Sequence, residues 1–371
     1  MGSGAHRTYA PAGTTEAGRP LGDAAEALAA AERLAADGRF LDAIDLLTEA
    51  NRQHRDAEVE ARLVRLRNAA YAELDRSPTD SPWPDDAPRG RPNDQALPPL
   101  ARNQLTSEAL RDSILRHGCA YVPKLIFQED VDVLVEGIDR AFEGCDKQAE
   151  RGWSHETGGD DASAYAATSP WYVRFEGANG LDVKGETRKF VREGAGVWTV
   201  ESPRVMFDLL EILERAGLRS LITDYLGERP TLTLKKSTLR RTPPLPRADW
   251  HQDGAFLGKP IRPLNLWLSL SHCGEDAPGL DVVPRRLDRI VETGSGGAIF
   301  PWSVGPGTVE EAADGVPILR PRFEPGDALL FDELFLHRTG TDETMTRDRY
   351  AIESWFFAPS VYPGDQIPFV W

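Results

Sequence analysis

Cysteine is scarce in this chain. Cys119, Cys145 and Cys273 are the only three in 371 residues. Their irregular spacing gives no disulfide framework and predicts reduced thiols in a cytoplasmic protein. Long apolar runs are missing too. Nothing approaches the ~20 residues that a membrane-spanning helix needs. Residues Met1 to Pro20 lack the apolar core of a signal peptide and read as a disordered leader over 1–21. Basic charge is also short. Lys and Arg number 43 against 59 Asp and Glu, for a net charge of -16. Phosphate binding wants a basic face, so nucleic acid is excluded as a partner. The acidic residues are spread along the chain and read as solubility. These absences leave a soluble enzyme, with no nucleic acid and no membrane, as the expected class.

The length suits two domains. Residues 22–76 read as a small α-helical module. Ala24 to Ala36 is rich in Ala and Leu, and Gly38 breaks the pattern. Phe40, Ala43, Ile44, Leu47 and Ala50 then recur on one helical face, and a third helix is expected from about Ala57 to Leu74. Gly38 to Leu47 resembles the turn and second helix of a tetratricopeptide repeat, although such repeats need about three stacked units. Two roles stay open for the module: a hairpin packed on the rest of the chain, or a docking site for a protein partner. Residues 77–100 form a Pro-rich linker, with seven prolines between Ser77 and Pro99. It could also be a strap anchored by Trp83 and Leu97.

Residues 101–371 carry the chemistry. His251-Gln252-Asp253, with the distant His337, supplies two imidazoles and one carboxylate, the ligand set of a mononuclear non-haem iron(II) site with open positions. On a strand, His251 and Asp253 would point to one face. The apolar stretch Ala328 to Leu336 reads as a buried strand that ends on His337, and Glu324-Pro325-Gly326-Asp327 is the turn before it. Arg349 follows His337 by twelve positions and opens the strand-like run Tyr350 to Ala358. A buried Arg there needs an anionic partner, and a dicarboxylate would supply one.

The other strand patterns agree with a barrel. Leu264 to Ser271 alternates at period two, and Gly279 to Val283 is a short strand. Short strands punctuated by Gly and Pro suggest an all-β sandwich or barrel that could hold ligands in its mouth. In Lys235 to Arg241 one face carries Lys235, Ser237 and Leu239, the other Lys236, Thr238 and Arg240, and one of them looks inward. Trp250, Phe256 and Trp355 are candidates for pocket lining or for core. His272 beside Cys273 reads as structural, and Gly294 to Gly297 as a flexible loop.

The segment Trp250-His251-Gln252-Asp253-Gly254 to Tyr350-Ala351-Ile352 resembles the phytanoyl-CoA dioxygenase family of iron(II)/2-oxoglutarate oxygenases. So does Leu105 to Glu143: a helix, then Gly118-Cys119-Ala120-Tyr121-Val122-Pro123, then a second helix. The resemblance implies a mainly β fold with flanking helices, a double-stranded β-helix (jelly-roll, cupin-like) barrel, in which His251, Asp253 and His337 hold Fe(2+). It implies that Arg349 grips the distal carboxylate of 2-oxoglutarate, a task suited to a bidentate guanidinium. Arg347 stays a rival for that role. Thr339, Trp267 and Gln252 match positions around the co-substrate. O2 would be consumed, succinate and CO2 released, and a small-molecule substrate of secondary-metabolite or lipid type hydroxylated. Related halogenases replace the carboxylate ligand by a small residue. Asp253 fills that position, which favours hydroxylation, desaturation, epimerisation or ring closure. Val283-Pro284-Arg285-Arg286 departs from the family's Pro-Gly-Ser-His turn, so the substrate does not carry over. A protein- or carrier-bound substrate recruited through residues 22–76, or a non-catalytic scaffold, is the alternative.

Overall fold

The computed structural model describes residues 23–77, 97–150, 169–176, 183, 185–244, 249–258 and 260–371. The expected leader, most of the Pro-rich linker and Trp83 lie outside the described residues. Leu97, the other expected anchor, is buried in the apolar core beside Cys119 and Leu257. No helix of the described residues is long and apolar enough to cross a membrane.

Three helices open the described chain: α1 (Ala24–Ala36), α2 (Phe40–Gln53) and α3 (Ala57–Ala69). Asp23 caps α1 by accepting from Glu26 N, and Asp56 caps α3 by accepting from Glu58 N and Val59 N. Gly38 supplies the positive φ of 78° at the first turn. Ala43, Ile44 and Leu47 pack against Ala27, Ala31, Val59 and Leu63. The third helix is shorter than its sequence pattern suggests, because Ala70–Glu73 tightens into a 3-10 turn.

These helices lie against the remainder of the chain. Phe207 and Val370 join their apolar core. Arg67 Nη1 donates to Val370 O at 3.0 Å, and Asn68 Nδ2 to Pro368 O at 2.8 Å. The fully buried Glu60 accepts from Arg55 Nε at 2.8 Å and from Arg204 Nε at 2.9 Å.

The β structure is built from β1 (Cys119–Val122), β2 (Gly196–Trp198), β3 (Thr231–Thr242), β4 (Pro263–Ser269), β5 (Gly279–Val282), β6 (Ala328–Phe331), β7 (His337–Gly340), β8 (Arg349–Phe357) and β9 (Pro368–Val370). A large antiparallel sheet runs in the order β1-β6-β4-β8-β3-β2, with β9 also paired to β3. A smaller sheet pairs β5 with β7. Isolated bridges widen it, joining Trp250 to Val304, His251 to His337 and Val282 to Leu319.

Period-two alternation gives the large sheet two apolar faces. Leu264, Leu266, Leu268, Leu330, Ile352 and Phe356 pack on helices α4 (Ser107–His117), α5 (Gln128–Glu150), α7 (Pro203–Arg215) and α8 (Leu218–Leu226). Between α5 and α7 in sequence lies the short α6 (Gly185–Glu193). Trp267, Leu329, Phe331, Trp355 and Phe357 point the other way and meet Leu280 and Val282 of the small sheet. The space between the sheets is therefore aromatic, and the site opens from it.

Two local readings of the sequence change. Ala328 to His337 is not one strand. β6 stops at Phe331, and the chain crosses to the small sheet before β7 begins at His337. Asp332 forces that crossing: its Oδ1 accepts from Leu334 N at 3.1 Å, and it is ion-paired with the buried Arg286. The second change is in β3. Leu232 faces Phe356 but Ser237 faces Ser354, so three extra residues separate the two registers. An odd shift exchanges the two faces of a strand. Leu232 and Leu234 point to the helices before the shift, and Leu239 does so after it. Lys236, Thr238 and Arg240 then face inward.

The docking of α3 is open to test. Glu60→Ala would leave Arg204 and Arg55 without their shared carboxylate. We expect a loss of about 2 kcal/mol in urea unfolding, less than for a fully buried pair because both arginines are partly exposed. A change below about 0.5 kcal/mol would mean that the helices are not held by this pair.

Candidate metal centre

His251 and His337 are direct partners across the small sheet. His251 N donates to His337 O at 2.9 Å, and His337 N donates to His251 O at 3.1 Å. This reciprocal pair sets the rings side by side, with centroids 4.4 Å apart. Asp253 arrives differently from the expected same-face strand position. Strand geometry ends at His251, and Asp253 takes helical angles (φ -61°, ψ -27°) to start the one-turn helix α9 (Gly254–Leu257). The turn brings its carboxylate round to the histidines. Candidate ligand atoms of His251, Asp253 and His337 all lie within 4.8 Å of one another.

The donor set suits a divalent cation. Nδ1 of His251 is 2.9 Å from Asp249 O, and Nδ1 of His337 is 3.0 Å from Phe335 O. A carbonyl only accepts, so both Nδ1 atoms carry the proton and both Nε2 lone pairs are free. Burial, reinforced by the nearby His251, pushes His337 down to about 4 despite the opposing pull of Asp253. Burial alone would raise Asp253. Lys236, His251 and His337 together outweigh it and hold the carboxyl near 2. At neutral pH His337 is a neutral imidazole and Asp253 a carboxylate, each in its metal-binding form.

The surroundings fix these groups. Asp249 serves twice. Its carbonyl orients His251, and its carboxylate accepts from Ile299 N at 2.6 Å and from Ser303 Oγ. It thereby fastens the loop that carries Phe300 and Trp302. The Trp302 ring meets His251 and Phe256 edge-on, each at 5.7 Å. Phe331 and Phe335 flank His337. Trp250 and Trp355 are buried core residues, whereas Phe256 is half-buried beside the site.

Arg349 is almost fully buried. Its Nη1 donates to Gly279 O at 2.8 Å and its Nη2 to Thr242 Oγ1 at 3.2 Å, while Nε has no partner. Burial pushes its pKa below the usual value. Arg347 is different. Its side chain is largely exposed and reaches Asp276 at 3.4 Å. The Trp267 ring lies 5.6 Å from the Arg349 guanidinium, and the buried Trp267 Nε1 also lacks a partner. Thr339 is half-buried on β7, two residues after His337 and hence on the same face. Gln252 does not line this space. Its Oε1 accepts from Val291 N, and its Nε2 donates to Arg289 O and Leu334 O. Being the residue between His251 and Asp253, it points away and braces two loops. His272 is exposed and 2.9 Å from Glu324, outside the site.

The sequence leaves open whether an inward Lys or Arg of β3 meets an anionic group of substrate or co-substrate or lies on a solvated face, and it gives Asp249 no role. Lys236 Nζ donates to Asp253 Oδ1 at 2.7 Å. Of the cations on the inner face of β3 and β8, Lys236 pairs with Asp253 and Arg240 with Glu353 at 3.1 Å. Arg349 has no carboxylate partner among the described residues.

The depressed His337 pKa makes a prediction for the metal-free protein. The native state keeps His337 neutral down to about 4, whereas the unfolded chain protonates it near 6.5. Its contribution is complete above 6.5 and is lost as pH falls through 4, up to about 3 kcal/mol in all. Urea unfolding in chelator between pH 4 and 7 should show this slope. His337→Gln should flatten it, and an equal slope in both proteins would refute the assignment.

No family model matches the chain, and no curated protein sequence matches it. Among solved structures it is similar to EvdO2 from Micromonospora carbonacea var. aurantiaca complexed with 2-oxoglutarate. Identity there is 16%, over 67% of this chain and 90% of that one, with a TM-score of 0.42. It is similar to the non-heme alpha ketoglutarate dependent carbocyclase SnoK from nogalamycin biosynthesis at 14% identity, over 74% and 99% of the two chains, with a TM-score of 0.45. EctD from S. alaskensis with bound Fe gives 15% identity, 67% and 75% coverage, and a TM-score of 0.42.

Proposed function

We propose that this chain is an iron(II)- and 2-oxoglutarate-dependent oxygenase of double-stranded β-helix type acting on a small molecule. One observation carries the reading. A two-histidine, one-carboxylate cluster opens into the same inter-sheet space as a buried arginine that has no carboxylate partner among the described residues. Arg349 bonds to Gly279 O, and Gly279 pairs with Gly340 at the far end of β7 from His337. Three residues of strand span ~10 Å. A short dicarboxylate fits between a cation at one end and a guanidinium at the other.

His251, Asp253 and His337 would hold the iron. When bound, it would supply dioxygen activation coupled to decarboxylation of 2-oxoglutarate. The chain's own residues do the rest. The Asp249 and Phe335 carbonyls keep both imidazoles in the binding tautomer. Arg349 receives the distal carboxylate, with Nε and Trp267 Nε1 as donors still free. Thr339 adds a hydroxyl on the same face as His337. Phe256, Phe300 and Trp302 wall the mouth, shield it from water and present ring faces to an organic substrate. Hydroxylation is the outcome we assign first, with desaturation, epimerisation or ring closure on the same machinery. Recruitment of a protein-bound substrate by α1–α3 has less support, because α3 is already covered by α7 and β9.

Anaerobic titration with iron(II) and 2-oxoglutarate tests the reading through the weak visible band of the chelate. The band should need both components. His337→Ala should abolish it while the chain stays folded. Arg349→Met should weaken 2-oxoglutarate binding by on the order of 10- to 100-fold, the worth of charge-assisted hydrogen bonds. It should leave iron binding intact and stability no lower, since it removes an uncompensated buried charge. Iron binding with no band would exclude 2-oxoglutarate as co-substrate.

A further inference from the structure

Lys236 holds an inward position on β3 beside Asp253. Its ammonium donates to Asp253 Oδ1 at 2.7 Å, and the other oxygen, Oδ2, is the one turned toward His337 Nε2 at 3.9 Å. We propose that Lys236 is a positioning residue that makes Asp253 a one-oxygen ligand and so keeps the cation's other positions free for a chelating co-substrate. The inference rests on the metal and 2-oxoglutarate reading above.

A carboxylate can bind a cation through one oxygen or through both. Which it does depends on what else claims the second oxygen. Here the ammonium takes a lone pair of Oδ1, and its charge repels a second cation from that oxygen. Oδ2, the oxygen 3.9 Å from His337 Nε2, then stays available to a cation. The hold is firm because Lys236 has two anchors. Its Nζ lies 3.8 Å from the Phe256 ring centroid, within range of a cation–π contact. Phe256 follows Asp253 by three residues and belongs to α9, the helix that Asp253 opens. The two anchors therefore move as one body.

The backbone of β3 is arranged for this contact. Without the three-residue register shift, Lys236 would share the face of Leu232 and Leu234 and point to the helices. Arg240 follows on the same inward face and is taken up by Glu353. Asp253 therefore has one cationic partner on β3, and that partner sits on the oxygen away from His337.

Co(2+) gives a readout independent of turnover, because its visible bands report the number of ligands. Wild-type protein should bind Co(2+), and its bands should shift on addition of 2-oxoglutarate. Lys236→Met frees Oδ1. Its Co(2+) spectrum should differ before any co-substrate is added, and its 2-oxoglutarate midpoint should rise at least about tenfold, the usual scale for loss of an outer partner. Lys236→Arg, which keeps a charged donor beside Oδ1, should recover most of the response. A purely structural lysine would change thermal unfolding but not the Co(2+) bands. If Lys236→Met does not fold, Lys236→Gln is read in its place. Variants with wild-type spectra and midpoints overturn the proposal and leave the metal site standing. A wild-type chain that binds no Co(2+) overturns both. A Co(2+)-bound wild type blind to 2-oxoglutarate, with altered bands in Lys236→Met, supports the one-oxygen role and overturns the co-substrate instead.

Discussion

The site depends on one pair of backbone hydrogen bonds. His251 and His337 each donate to the other's carbonyl, and this closure brings two imidazoles from distant parts of the chain into contact. Slipping the pairing by one residue would turn one ring to the opposite face. The flanking partners guard against that. Val304 N donates to Trp250 O on one side, and Val283 N to Leu336 O on the other. Gly254 N then donates to Glu333 O, so the residue after Asp253 is tied to the loop that precedes His337. A Cβ at Gly254 would come within 3.0 Å of that carbonyl and within 2.8 Å of Ile290. Glycine is needed here for close approach rather than for a turn.

Charge in the inter-sheet space follows a simple rule. Each inward carboxylate of the site has a cation on β3: Asp253 has Lys236 and Glu353 has Arg240. The pairs let ionised groups persist where burial alone would neutralise them. Asp253 shows the balance: burial pushes it up, and the surrounding positive and imidazole groups bring it to about 2. His337 has the opposite outcome, because burial and His251 outweigh Asp253. One low-polarity setting thus yields an ionised carboxylate beside a neutral imidazole, the combination that a cation selects.

Much of this was legible in the sequence, for identifiable reasons. The candidate metal-binding residues His251, Asp253 and His337 are chemically distinctive, and the alternation of β4 and β8 marks sheets with two covered faces. Other features were hidden by what they depend on. The face that Lys236 presents is decided by a register shift against β8, more than a hundred residues away, so alternation could only leave both faces open. The crossing between β6 and β7 lies inside an apolar run, where composition alone reads as one strand, and it is set by Asp332 meeting Arg286. Gln252 was expected in the pocket from the family resemblance, yet its side chain bonds to Val291, Arg289 and Leu334 instead. Asp249 acts through groups about fifty residues later. The segment before β3 was left unread, although Val205, Leu209, Ile212 and Leu213 carry a helical stripe that points to α7.

Arg349 is where stability and binding pull apart. A buried guanidinium without a carboxylate is costly, and two neutral acceptors offset only part of that cost. Glu353 on the same strand, whose charge reaches Arg349, is engaged by Arg240. The fold holds the charge in place without neutralising it, between Trp267 and Thr242, with donors still unused. An arrangement of that kind is unfavourable in the empty protein and favourable once an anion enters. Under the proposed function the same asymmetry would make the site selective. A neutral molecule of equal size would return no hydrogen bonds of comparable strength to Arg349, where a carboxylate would find a partner.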